Sequence, residues 1–213
     1  MSLIAKNKGG GSFALVPEDQ HVARCVRIID IGTQDGTYGP KHQCIIAWEL
    51  PECQQVFDAD RGPEPSLMSS FYTLSLNEKS NLRRVLEQWR AKAFTDQELE
   101  GFDVSSVISV PCLIQVLHKL NAAKEPRAII NSINRLPKGM TCPPQILDSL
   151  VFTLEDGTWE QFELIPEWQR ELIKKCPEYP GFVSRINGGP NSQSADEHFQ
   201  QIDDAGSDDE VPF

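Results

Sequence analysis

The chain has 213 residues, 39% of them hydrophobic, and its 20 Lys and Arg against 31 Asp and Glu leave a formal net charge of -11. That is room for one ordinary domain with appendages, or for two small ones. No apolar run approaches the roughly 18 residues of a membrane span, and residues 1–12 lack the apolar stretch of a secretory signal. A cytoplasmic protein with no membrane partner is therefore expected, and so much acid argues at first against nucleic acid.

Residues 1–17 read as a flexible N-terminal arm. His21–Ile31 is rich in β-branched residues and ends at Gly32; a turn over Thr33–Pro40 leads to a second strand, Lys41–Leu50, stopped by Pro51. Residues 51–69, with three prolines, several acids and Gly62, are expected to form a long exposed loop. Phe71–Leu76 alternates as a third strand, with Tyr72, Leu74 and Leu76 on one face and Phe71 on the other. Asn77 is a suitable N-cap for a helix over Glu78–Ala93, in which Leu82, Val85, Leu86 and Trp89 share a face. Val107–Lys119 and Arg127–Leu136 supply a fourth and a fifth strand around a turn at Asn121–Pro126.

Three strands, one long helix and two strands is the order of a five-stranded OB-fold Greek-key barrel, with its helix between strands three and four. The expected division is a barrel over residues 18–139, a small α/β extension over 140–186 and an acidic, disordered tail over 187–213. The extension is expected to hold a short strand, Leu150–Leu154, and a helix from Pro166 to Cys176 with Trp168, Leu172 and Ile173 on one side.

The charge is unevenly placed. Residues 190–213 carry seven acids and no Lys or Arg, while residues 1–138 balance 16 basic against 16 acidic groups. The tail has too few apolar groups to offset chain entropy by burial, yet it ends in Asp208-Asp209-Glu210-Val211-Pro212-Phe213. A merely solvating tail has no use for a terminal aromatic, whereas a docking peptide fills a pocket with it. The six cysteines form no C-x-x-C pair and no Cys/His cluster of ligand spacing, so no metal is expected. No nucleophile elbow, Walker loop or dinucleotide fingerprint is present. No catalytic residue and no cofactor are assigned, and the protein is read as a non-enzyme. Asp58 and Asp60, a conceivable nuclease pair, fall in the expected loop and carry the weakest reading.

The closing hexapeptide resembles the acidic tip of bacterial single-stranded DNA-binding proteins, with Val211 where isoleucine is usual. Residues 72–84, from Tyr72 to Arg84, and Leu136-Pro-Lys-Gly-Met140 resemble a phage-encoded family of OB-fold single-strand binders. The resemblance implies sequence-independent binding of single-stranded DNA in replication or recombination. It also implies recruitment of replication, recombination or repair proteins through Asp208, Asp209, Glu210, Val211, Pro212 and Phe213. A homo-oligomer is compatible with it, and if the chain is phage-encoded the compartment is the bacterial host's cytoplasm.

A strand-binding groove needs cations for phosphates and aromatic faces for bases. Tyr38 and Phe71 are the stacking candidates; Lys41, Arg61, Lys119, Arg127, Arg135 and Lys138 are the leading cationic ones, with Arg24, Arg27 and Lys124 behind them. Trp48 shares a face with Cys44, Ile46 and Leu50, which favours core over stacking. The alternative is an OB-type module that binds protein rather than DNA.

Overall fold

The structure, a computed structural model, describes residues 14–37, 39–58, 60 and 62–188. The β-branched run after Asp19 forms β1 (Gln20–Gln34), followed by β2 (Lys41–Asp58) and β3 (Gly62–Thr73). Residues 51–69 are therefore not a loop: they complete β2 and make up most of β3. β3 ends the strand path β3-β2-β1-β4-β5. An edge strand tolerates residues that lack an N–H on its open side, which accommodates Pro63 and Pro65.

Beyond the helices come β4 (Pro111–Leu120), β5 (Pro126–Asn134) and β6 (Leu150–Phe152). β4 lies antiparallel to β1 with Val22 opposite Leu113, and β5 lies antiparallel to β4 with a bulge at Gln115/Val116. The result is a mainly β, antiparallel, open sheet of six strands with a few helices. The expected barrel closure is not seen: among the described residues β3 and β5 are not paired, and β6 adds to β1 instead.

The chain divides into two compact units, and β1 and β2 contribute to both. The first comprises residues up to 29 together with 44–151. Its core surrounds Trp48, which is fully buried and meets Tyr72 edge-on at 6.4 Å and Trp89 at 5.8 Å between ring centroids. Helix α1 (Asn81–Arg90) buries Leu82, Val85, Leu86 and Trp89, as its spacing predicts, and the Trp89 indole donates to the Pro111 carbonyl at 3.0 Å. The helix starts later than expected because Asn77 closes a turn instead, accepting from the Lys79 N–H at 3.1 Å and the Ser80 N–H at 2.8 Å. Helix α2 (Asp96–Glu100) begins with a reciprocal capping box between Thr95 and Glu98.

The second unit takes in residues 30–43 and those from 152 onward. Helices α3 (Trp159–Glu163), α4 (Glu167–Lys174) and α5 (Tyr179–Gly188) gather Phe152, Phe162 and Phe182 into a buried cluster. α4 buries Gln169 and Ile173, one helical turn apart, so Trp168 faces outward at 50% exposure rather than sharing the expected inner face. α5 extends into the start of the expected tail. Gly32, at φ +68°, lies so close to Cys176 that a Cβ there would stand 2.4 Å from its Sγ.

Beside that contact the Thr33 N–H and hydroxyl donate to the two Glu178 carboxylate oxygens at 3.0 and 2.5 Å. Burial opposes the charged form, yet these bonds hold the Glu178 carboxyl down at about 2. A carboxyl depressed on folding stabilises the fold above its ordinary value and loses that contribution as pH falls from 4.5 towards about 2. Denaturant midpoints measured across this window are expected to fall less steeply in Glu178→Gln than in the wild type; parallel profiles would show that the Thr33 contacts contribute nothing.

Candidate nucleic-acid interface

Alternation along β3 turns Ser66, Met68 and Tyr72 inward and Leu67, Ser69 and Phe71 outward. Phe71 is 48% exposed, as a stacking residue requires. The end of β2 adds Val56 and Phe57, also exposed. Phe57 was hidden from sequence reasoning by the prolines around it, although Gln54-Gln55-Val56-Phe57 carries the β-branched and aromatic signal of a strand.

A second feature lies at the far end of β4 and β5. Lys119 and Arg127 are cross-strand partners, both exposed, and the turn joining their strands carries Lys124. Asn121 and Glu125 lock this turn: the Asn121 N–H donates to the Glu125 carbonyl at 2.9 Å, the Glu125 N–H to the Asn121 Oδ1 at 2.9 Å, and the Asn121 amide to the Glu125 carboxylate at 3.3 Å. Among the described residues no carboxylate pairs with Lys119, Lys124 or Arg127. Like charges placed opposite each other destabilise a ladder. An anion between them removes that cost.

Arg83, Arg90 and Lys92, on and just after α1, contrast with this, whereas Arg84 on the same helix is exposed and donates to the Asn81 Oδ1 at 2.5 Å. Arg83 bridges to Glu87 at 3.0 Å, and Arg90 pairs with Glu98 while lying over the Phe94 and Phe102 rings at 4.6 and 4.9 Å. Lys92 also reaches Glu98, at 3.3 Å. The Thr95 backbone first, then Arg90 and Lys92 hold the Glu98 carboxyl down at about 2. Arg24 is likewise engaged, donating to the Ser109 and Pro143 carbonyls at 2.8 and 3.0 Å.

The middle of β2, expected to contribute to the binding face, is closed. Cys44, Ile46, Trp48 and Leu50 point into the core, while Ile45, Ala47 and Glu49 on the opposite side are buried as well. Ile146 and Leu147 lie over Glu49 on this side. The Glu49 carboxylate accepts the Leu147 N–H at 2.8 Å and the Ile146 N–H at 3.1 Å, which fixes the segment with charge-assisted bonds. On the first unit β3 thus presents an exposed aromatic ring and the β4–β5 hairpin an exposed pair of cations.

Of the remaining expected residues, Arg135 follows β5 with its side chain exposed and its N–H on the Gln88 carbonyl at 3.3 Å, and Lys138 is exposed in the next loop. Lys41, exposed at the start of β2, belongs to the second unit. Tyr38, Arg61 and the tip residues Asp208, Asp209, Glu210, Val211, Pro212 and Phe213 lie outside the described residues.

All six cysteines are free thiols. The Cys53 Sγ meets the His21 Nδ1 at 3.3 Å, while the His21 Nε2 bonds the Pro17 carbonyl at 2.9 Å. Burial and then Glu52 push the Cys53 thiol up. Among the described residues no three His, Cys, Asp or Glu side chains are grouped to hold a metal, and no helix is long and apolar enough to cross a membrane. The chain matches no protein-family model and no curated protein.

Proposed function

We propose that the protein binds single-stranded DNA without sequence preference, protects it during phage replication or recombination, and recruits partner proteins through its acidic C-terminal tip. The observation that carries this reading is the exposed Lys119–Arg127 pair, two facing cations that no carboxylate pairs with among the described residues. Phosphates of a flexible strand are natural ligands for such a pair, and the outward Phe71 offers a face for a base.

The fold reading that goes with it is an OB-type barrel. The path β3-β2-β1-β4-β5 is the order of such a barrel opened between its third and fifth strands, and α1, which follows β3 in the chain, lies against both β3 and β5. A protein-binding module is the second reading, favoured by the exposed apolar groups Val56, Phe57 and Leu67.

Fluorescence-anisotropy titration with a labelled oligo-dT and a duplex of equal length separates the two. Salt-sensitive binding selective for the single strand is expected, and Phe71→Ala should weaken it by about 1–3 kcal/mol. No binding of oligo-dT at low salt would sink the proposal.

A further inference from the structure

The stretch Leu136-Pro-Lys-Gly-Met140 turns at Gly139, whose φ of +86° suits a residue without a Cβ. Residues 137–141 thereby border a depression of about 700 Å³, all of whose lining belongs to the first unit. The floor is Val22 of β1 beside its cross-strand partner Leu113 of β4. Pro137 and Met140 form an apolar wall, and Gln20, Glu52, Lys138 and Thr141 supply polar groups around it.

Among the described residues none of those four side chains makes a hydrogen bond or ion pair within the protein. The depression thus combines apolar lining with an amide, hydroxyl, ammonium and carboxylate that are uncommitted among the described residues. A purely apolar ligand would strand all four polar groups without partners. A simple anion would meet the charge of Glu52. A planar ring with hydrogen-bonding edges, joined to an anion, satisfies each element.

We propose that this depression seats one base of the bound strand with its phosphate on Lys138, and that Glu52 favours bases bearing an exocyclic amino group. A carboxylate accepts from such a group, as from the cytosine N4 amine. This rests on the single-strand reading and adds a base preference to it.

The test compares oligo-dC with oligo-dT of equal length on the full chain by anisotropy. The wild type is expected to bind oligo-dC about three- to tenfold more tightly, a ratio that falls to near one in Glu52→Ala. Lys138→Ala should weaken both oligonucleotides alike and reduce the salt slope by about 0.7. An oligonucleotide carrying 5-iodocytosine is expected to photocross-link to the peptide that contains Met140. Equal affinities for the two oligonucleotides, an unchanged ratio in Glu52→Ala, an unchanged salt slope in Lys138→Ala, or cross-links confined to other peptides would each overturn the seat while leaving strand binding intact. Failure to bind either oligonucleotide overturns the single-strand reading and the seat with it. Both variants alter exposed side chains, and circular dichroism checks their fold.

Discussion

Trp48→Ala is expected to destabilise the first unit by about 3–5 kcal/mol, the range for truncating a large buried aromatic. The ring is completely buried and packed between Tyr72 and Trp89, so its removal opens a cavity bordered by residues from β3 and α1 as well as β2. Those neighbours are themselves large and held from several elements, which limits collapse into the space. Trp48→Phe should cost less than the lost volume suggests. Among the described residues the Trp48 indole N–H has no hydrogen-bond partner, and phenylalanine removes that unsatisfied donor along with the second ring. Urea unfolding followed by far-ultraviolet circular dichroism reads both effects as a lowered midpoint at similar slope. A loss below about 1 kcal/mol for the alanine variant would contradict the central place given to this side chain.

Lys119→Ala combined with Arg127→Ala is expected to act in opposite directions on binding and on stability. Each phosphate contact with a single strand contributes about 0.7 to the logarithmic salt slope, so losing two should reduce it by about 1.4. Affinity should then drop roughly 25-fold near 0.1 M salt, with the deficit shrinking towards 1 M. The fold itself should be unharmed or gain about 0.2–1 kcal/mol, because a like-charged cross-strand pair has been removed. Surface lysines of no special role would give neither the slope change nor the gain. An unchanged slope with unchanged affinity would remove the observation on which the proposed function stands.

Some of the fold was legible along the chain. The stripe Leu82, Val85, Leu86 and Trp89 was recognised as the inner face of a helix because helical spacing is a property of neighbours three and four positions apart. Phe71 and Tyr72 were assigned to opposite faces of a strand for the same reason at period two, and they fall as expected, 48% and 4% exposed. Cys44, Ile46 and Leu50 on the same face favour the core for Trp48, and it lies there.

Other features depended on partners far off in the chain. The prolines at 63 and 65 look like loop signals until β3 is known to sit at the end of the strand path. Nothing near Glu49 indicated that its carboxylate would be buried on the N–H groups of Ile146 and Leu147, nearly a hundred residues away. The basic residues of α1 and those of the β4–β5 hairpin are chemically alike in sequence. The Arg83–Glu87 pair follows from i,i+4 spacing on one helix, whereas only the strand register sets Lys119 and Arg127 facing each other.

Local periodicity and composition were thus sufficient for the succession of the first five strands around α1, for the buried stripe of α1 and for the concentration of acid in residues 190–213, since each is written in adjacent residues; the short helices α2, α3 and α5 were not among the expected elements. Strand pairing, the open edge at β3, the cover over β2 and the facing of Lys119 by Arg127 were decided by the tertiary structure. They depend on which distant segments meet, and side-chain burial and charge pairing are settled only when those segments come together.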